Sequence, residues 1–141
     1  MPKLPNFALG NQNEFFYNMY YLYSTDIRPK YTGQNVKQRY VRMLTTEPLF
    51  YVQPNYTIEM FAQDLGTNRT YASRFCNDEL GVSFSTLISR LRLARFIKMK
   101  QNRPHARNRE LMSLCGFTNM YSFRRVFTAT YGVSPSAYFK V

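Results

Sequence analysis

The spacing of apolar residues predicts a chain built from helices. From residue 35 onward, apolar side chains recur three and four positions apart, which places them on one face of an α-helix. No stretch alternates convincingly between apolar and polar residues with the period of two that a half-buried β-strand requires. The pattern therefore predicts an all-α fold.

Helix caps and stop residues divide this pattern into segments. Thr57 and Ser83 can cap helices through their hydroxyl oxygens, and the first helix is expected to run up to Pro48. The predicted helices cover residues 35–47, 57–65, 68–80, 83–101, 109–115 and 119–131, with a last turn from Ser134. The long fourth helix is expected to bury one stripe, made of Phe84, Leu87, Ile88, Leu91 and Ala94.

Residues 1–35 form a different kind of segment. Prolines and glycines interrupt them, so they are predicted to be irregular. Six of the nine residues from Phe15 to Tyr23 are aromatic, and a short helix is one way to arrange them. Such an aromatic stripe either packs on the main domain or contacts a partner or a second copy of the chain, and the sequence favours neither.

A short motif occurs twice in the chain. GVSFS begins at Gly81, and GVSPS begins 51 residues later. The same offset matches Asn68 with Asn119 and Arg74 with Arg125, and a short helix that ends at glycine precedes each copy. The repeated unit is a short helix, a tight turn and a longer helix, with a turn one residue longer in the second copy. This is the helix-turn-helix arrangement, present twice.

The longer helix of each unit presents a polar face at matched positions. Arginine can donate two hydrogen bonds to the edge of guanine in the major groove, and Ser, Thr and Asn can reach bases or phosphates. A solvated helix face also favours such residues, but two copies with arginine at the same place favour nucleic-acid binding. The outward residues are Arg69, Thr70, Ser73, Arg74 and Asn77 in the first copy, and Met120, Tyr121, Arg124, Arg125 and Thr128 in the second.

The positive charge is concentrated in the second half of the chain. Of the formal charge of +11, residues 81–141 supply +10, with 11 basic and 1 acidic side chains. Such a field attracts polyanions, with nucleic acid as the first candidate and an anionic membrane surface as the second. The sequence predicts no membrane-spanning helix and no signal peptide, because no apolar run approaches the roughly 18 residues that a span needs.

The sequence offers no set of residues typical of a metal site or an active site. Cys76 and Cys115 form no CxxC pair, and His105 is the only histidine. We expect no metal, no cofactor and no enzymatic activity, since the carboxylates are scattered and no nucleophile stands with a matching base. Both cysteines are predicted to be reduced core residues of helices in a cytoplasmic protein.

Three stretches of the sequence carry a family pattern. They are PNYTIEMFAQDLGTNRTYASRFCNDELGVSF, RLRLARF and CGFTNMYSFRRVFTATYGVSPSAYF, and the likeness spans roughly residues 56–139. Together they resemble the DNA-binding domain of the AraC family of transcription regulators. The resemblance implies two homeodomain-like helix-turn-helix units, at residues 57–80 and 109–131, joined by a long connecting helix at residues 83–101.

The resemblance also implies a domain boundary and roles for single residues. The AraC-type domain is expected to cover residues 36–141, with residues 1–35 as an aromatic-rich extension that contacts a partner or a second copy. Ala72 and Cys76 stand where the family usually has a large apolar residue, which predicts a smaller core in the first unit. Arg69 and Arg124 are implied to lie nearer the DNA backbone. The residues implied to face bases are Thr70, Ser73, Arg74, Met120, Tyr121 and Arg125.

These inferences predict a sequence-specific transcription regulator that binds double-stranded DNA in the cytoplasm, associated with the nucleoid. RNA polymerase and a second copy of the chain are further candidate partners, and no membrane contact is expected. The alternative is an AraC-like interaction module that binds or blocks another regulator, although such a module would not need Arg74 and Arg125 at matched positions. Residues 1–35 are too short for the sensor domain that the family commonly carries, so the chain is either a small regulator controlled in another way or a segment of a larger one.

Overall fold

The computed structural model describes residues 33–140, and every regular element in that range is helical. The elements are α1 (Gly33–Met43), a 3-10 helix (Phe50–Val52), α2 (Ile58–Leu65), α3 (Arg69–Arg74), a π-helix that continues α3 without a break (Phe75–Leu80), α4 (Phe84–Asn102), α5 (Asn108–Leu114), α6 (Met120–Tyr131) and α7 (Pro135–Tyr138). The all-α prediction is confirmed. The predicted aromatic segment at residues 15–23 lies outside the described residues.

The first helix ends earlier than the sequence predicts. α1 stops at Met43, five residues before Pro48. The hydroxyl of Thr46 donates to the carbonyl oxygen of Arg42 at 2.6 Å, and the hydroxyl of Thr45 lies 3.4 Å from the same oxygen. The prediction that this helix reaches Pro48 is therefore wrong, because threonine side chains take over a carbonyl that a further helical turn would have used.

Side-chain caps begin the later helices at the predicted places. The hydroxyl oxygen of Thr57 accepts from the N–H of Met60 at 3.2 Å, and that of Ser83 accepts from the N–H of Thr86 at 3.2 Å. Ser134 caps α7 in the same way. Each cap supplies a partner for one of the N–H groups that the first turn of a helix leaves without a carbonyl.

A large hydrophobic cluster joins α1 to the first half of α4. Tyr40 of α1 is fully buried in it, with its ring centroid 5.2 Å from that of Phe75 and 6.2 Å from that of Phe61. The cluster holds eighteen buried residues, drawn also from α2, α3, the π-helix and the chain around the 3-10 helix. Ala72 and Cys76 are both fully buried in this cluster, and α1 and the 3-10 segment supply further apolar side chains to it.

A second cluster, with ten buried residues, surrounds α6. Phe123 is fully buried, with its ring centroid 4.7 Å from that of Phe96 on α4 and 5.2 Å from that of Phe117. Phe127 lies on the same side of α6, 5.8 Å from Phe123. Burial of one such ring contributes about 1.5–3 kcal/mol, so aromatic packing holds α6 against α4.

The long helix α4 packs into both clusters, with opposite faces. Leu87 and Leu91 belong to the first cluster, whereas Leu93, Phe96 and Ile97 belong to the second. Because each residue turns an α-helix by about 100°, Leu93 lies about 200° around the axis from Leu91. The predicted buried stripe is thus one of two, and the second stripe lies on the other side of the helix.

Arg92 of α4 connects the two clusters at the point where the buried face changes. Its Nε donates to the carbonyl oxygen of Tyr51 at 2.7 Å, and its Nη2 donates to that of Gln53 at 2.8 Å. Its guanidinium also lies 5.9 Å from the ring centroid of Phe117 in the second cluster. Gly116 leaves room for this contact, since a Cβ there would lie 2.8 Å from Arg92 Nε and 2.9 Å from the Tyr51 carbonyl oxygen. The contact holds the two clusters in one relative orientation.

Candidate nucleic-acid interface

Two helices of equal length carry the outward residues. The first consists of six residues of α3 and six of the π-helix, and the second is the twelve-residue α6. Asn68 and Asn119 cap them, each accepting from the N–H three residues later, at 2.9 and 2.7 Å. Gly81 and Gly132 end them in the left-handed region, with φ of 74° and 78°. The sequence repeat is therefore also a repeat of the asparagine cap and the left-handed glycine, although the first helix is π-helical in its second half and α6 is α-helical throughout.

The shorter helix before each of these ends in the same way in both copies. In the first helix pair, α2 with α3 and the π-helix, the N–H of Thr67 donates to the carbonyl oxygen of Ala62 at 2.9 Å. In the second helix pair, α5 with α6, the N–H of Phe117 donates to the carbonyl oxygen of Met112 at 3.1 Å. The turn to the next cap is one residue longer in the second pair, as predicted. The two pairs thus share a local geometry.

All ten predicted outward residues are at least partly accessible to solvent. The exposed ones are Arg69, Thr70, Arg74 and Asn77 in the first pair, and Tyr121, Arg124, Arg125 and Thr128 in the second. Ser73 and Met120 are half-buried, and Met120 packs against the second cluster. Each set therefore forms one accessible face, which we call the first and the second outward face.

Acidic side chains lie beside the first outward face. Arg69 pairs with Glu59 of α2, with 3.2 Å between their charged atoms, and both side chains are exposed. Arg74 lines a depression of about 330 Å³ together with Asp78 and Glu79. Glu79 is itself paired with Lys37 of α1 at 3.2 Å. Exposed ion pairs add little to stability, so the main effect of Glu59 and Asp78 is to lower the positive potential around the two arginines.

The second outward face has a more positive surrounding. α6 carries Arg124 and Arg125 and has no acidic residue. Tyr121 projects from the same face with 76% of its side-chain surface exposed. Arg125 also lines a groove between α6 and α4, together with Arg90 of α4. An exposed aromatic ring one helical turn from two guanidinium groups is suited to contact a polyanion that has flat apolar bases.

The two cysteines are buried, one in each cluster. Both are free thiols, and Cys76 and Cys115 are each fully buried. Burial raises the pKa of each thiol to about 12, so both stay protonated and unreactive at neutral pH. The prediction that they are core residues is confirmed.

Other kinds of site find no support in the described part of the chain. Among residues 33–140, no group of three His, Cys, Asp or Glu side chains is placed to hold a metal ion. Within the same range, no helix combines the length and the apolar character that crossing a bilayer requires.

The chain matches a known family over most of the region described above. A family model described as a helix-turn-helix domain matches residues 61–140, from the middle of α2 to beyond α7. The chain belongs to the AraC-type helix-turn-helix family. No curated protein and no solved structure matches it. AraC-type domains are DNA-binding modules of transcription regulators rather than enzymes, and in this general sense the chain is a DNA-binding transcription regulator.

One feature of this AraC-type domain was not predicted from the sequence. The groove between α4 and α6 is lined on the α4 side by polar residues such as Ser85 and Ser89. Their spacing carries a signal, because they precede Leu93 by eight and four positions and so lie on the stripe that the second cluster buries. A helical stripe that changes from apolar to polar could have indicated the groove.

Proposed function

We propose that this AraC-type domain reads specific sequences in double-stranded DNA with two recognition helices. The helix formed by α3 and the π-helix enters one segment of the major groove, and α6 enters the next, about one helical turn away. The observation that carries the proposal is the repeat itself. Two twelve-residue helices with the same caps each expose an arginine at the same place, Arg74 and Arg125.

In this proposal, arginine is the main base-reading residue of each helix. Arg74 and Arg125 each donate two hydrogen bonds to O6 and N7 of a guanine. Arg69 and Arg124 contact backbone phosphates, and Arg69 leaves Glu59 to do so. The remaining contacts to base edges or sugar-phosphate come from Thr70, Ser73, Asn77, Met120, Tyr121 and Thr128. Asn77 contributes its amide oxygen as an acceptor and one N–H as a donor, because its other N–H already donates to the Ser73 carbonyl oxygen at 3.0 Å.

The proposal extends to the boundaries and the setting of the domain. Residues 36–141 form the DNA-binding domain, with helix-turn-helix units at 57–80 and 109–131 joined by the helix at 83–101. The protein acts on DNA in the cytoplasm as part of the nucleoid. RNA polymerase and a second copy of the chain are candidate partners, and residues 1–35 are the segment proposed to contact one of them.

The test is a selection of binding sites from random duplex DNA with the full chain. We expect one enriched motif with two short conserved blocks about one helical turn apart, each containing guanine. Binding without an enriched motif would contradict sequence specificity, and enrichment of a single block would contradict two recognition helices. If no duplex is retained even at low salt, the interaction-module hypothesis replaces DNA reading.

A further inference from the structure

The groove between α4 and α6 is lined by hydrogen-bond donors. Its volume is about 380 Å³. Two small apolar side chains of α6 complete its wall, and among the described residues no carboxylate lines it. Its polar lining consists of Ser85, Thr86, Ser89 and Arg90 from α4, and of Arg125 and Thr130 from α6.

The lining residues of α4 continue a stripe that is buried further along the helix. Ser85 and Ser89 precede Leu93 by eight and four positions, and Thr86 and Arg90 precede it by seven and three. All four therefore lie on the face that packs into the second cluster. A face that only held α6 against α4 would be expected to stay apolar along the shared length. It becomes polar before Leu93, which indicates that this end of the groove meets a polar ligand.

The hydrogen bonds inside the groove indicate which kind of ligand it suits. The Thr130 hydroxyl donates to the Val126 carbonyl oxygen at 2.8 Å, so its proton is used within α6. Thr86 Oγ1 accepts from the Ser83 hydroxyl at 3.0 Å, which leaves its own proton for a further acceptor. Ser89 adds a further hydroxyl, and Arg125 together with Arg90, which lies beside Tyr131, adds positive charge. The groove therefore suits an anion with several oxygen atoms, such as a phosphate group.

The position of the groove relates this anion to DNA. The π-helix ends at Leu80, five residues before Ser85, and Arg125 belongs to both the groove and the second outward face. The groove thus adjoins the second outward face and follows the end of the first recognition helix in the chain. We propose that it holds one backbone phosphate of the DNA strand that passes between the two major-groove segments, an inference that rests on the proposed function. The phosphate accepts from Thr86, Ser89 and Arg90, a contact that does not depend on base sequence.

The first experiment places a negative charge in the groove of the full chain. Ser89→Glu should lower the affinity for the selected duplex about tenfold or more, and equally for every single-base variant of the site. The matched control is Gln101→Glu, which adds the same charge at an exposed position on α4. It lies about 18 Å from Ser89 along the helix, beyond the screening length of about 8 Å at physiological salt. Circular dichroism checks that both variants fold.

The second experiment identifies the phosphate itself. Each phosphate of the selected duplex is replaced in turn by an uncharged methylphosphonate, and binding is measured with the wild type, Arg90→Gln and Thr86→Val. At one central phosphate, the replacement and each variant should lower affinity about tenfold separately, and together no further than either alone. Arg90→Gln should also reduce the slope of log K against log salt by about 0.9, the value for one phosphate contact.

Three results would overturn the proposal. If the wild type binds the selected duplex but no methylphosphonate position couples to Thr86→Val or Arg90→Gln, the groove is not a phosphate site and the proposed function stands. If millimolar inorganic phosphate shifts the amide resonances of Ser89 and Arg90 while no methylphosphonate position couples to either variant, the ligand is a free anion and not a DNA phosphate. If the selection yields no bound duplex, the proposed function fails, and this inference fails with it.

Discussion

The first and second helix pairs share their caps and closing turns but differ in how their cores are filled. Asparagine caps, left-handed glycines and closing turns repeat at matched positions. At the same offset, however, fully buried Ala72 in the first pair corresponds to fully buried Phe123 in the second. The first pair lies beside Tyr40 of α1, whereas the second supplies its own aromatic ring. Local hydrogen bonds thus repeat the geometry, while core volume depends on what the rest of the chain contributes.

The two outward faces also differ in their electrostatic surroundings. Glu59, Asp78 and Glu79 lie beside the arginines of the first face. Arg125 in the second face lies instead beside Arg90 and a groove without carboxylates in the described part of the chain. Two faces with matched arginines therefore carry different positive potentials, and their contributions to DNA binding are expected to be unequal.

The largest expected effect comes from a substitution that disrupts the second cluster. Phe123→Ala should lower the free energy of unfolding by about 3–5 kcal/mol, because it removes a fully buried ring and leaves a cavity. The matched change, Ala72→Phe, should cost about 1–3 kcal/mol by overpacking the first core. Urea denaturation followed by circular dichroism measures both. A loss below about 1 kcal/mol for Phe123→Ala would show that the second core does not depend on this ring.

The next prediction concerns the two buried thiols, one in each hydrophobic cluster. The thiols of Cys76 and Cys115 stay protonated up to a pKa of about 12 in the folded chain, whereas the ordinary value is 9.0. Above pH 9 the unfolded chain therefore releases protons that the folded chain keeps, and stability falls as pH rises. At pH 10 each thiol should cost about 1.4 kcal/mol relative to pH 7.

Two variants isolate the contribution of each thiol. Cys76→Ala and Cys115→Ala should each reduce the loss of unfolding free energy between pH 7 and pH 10 by about 1.4 kcal/mol, whatever the stability of the variant at pH 7. Urea denaturation at pH 7 and pH 10 gives the difference directly. Unequal changes would mean that one core opens to solvent before global unfolding, which would sharpen the comparison between the two halves.

The matched arginines test whether both faces read DNA. Arg74→Ala and Arg125→Ala should each remove about 1–3 kcal/mol of discrimination at guanine in one block of the selected site. Arg125→Ala should lower overall affinity more, because no carboxylate of α6 reduces the field around it. Binding is measured against a panel of single-base site variants.

The control for the arginine pair is Lys98→Ala, which removes one exposed positive charge from α4. It should weaken binding slightly and equally for all sequences, since a phosphate contact carries no base information. If Arg74→Ala and Arg125→Ala behave like Lys98→Ala, the two arginines contact only the backbone. If neither changes affinity, the outward faces do not contact DNA.

The smallest effect concerns the repeated caps. Asn68→Ala and Asn119→Ala should each lower the free energy of unfolding by about 1 kcal/mol, because each leaves an N–H of the first turn without its side-chain acceptor. Asn68→Ser and Asn119→Ser should restore most of the loss, since serine caps helices equally well. Thermal and urea unfolding check the four variants. A loss from one alanine variant alone would show that the caps repeat in geometry but not in energy.

The elements that local chemistry determines were predictable from the sequence. Caps at Thr57 and Ser83 and the stop at Gly132 placed most helix ends to within one residue. The end of α1 was not predictable in the same way. It depends on the Thr46 hydroxyl, which competes with the backbone only once that turn has formed.

Features that arise from packing could not be read from one stretch at a time. The second buried stripe of α4, which includes Phe96, exists because α6 lies on that side of the helix. The groove at Ser89 follows from the same packing. In the candidate interface, the exposure of the predicted outward residues was predictable from helical spacing. The acidic neighbours of Arg74 were predictable from the same spacing, since Asp78 and Glu79 follow it by four and five residues along one continuous helix.

The opposed faces of α4 have a consequence for how this protein can evolve. Leu91 and Leu93 are two residues apart and pack into different clusters. One residue inserted between them would turn everything that follows by about 100° and move it by about 1.5 Å along the axis. The angle between the two outward faces would change by the same amount, even if each half still folded. Residues of α4 can therefore be substituted one at a time, whereas the number of residues in the helix cannot change. We expect insertions and deletions to be tolerated instead in the loops at residues 44–49 and 103–107.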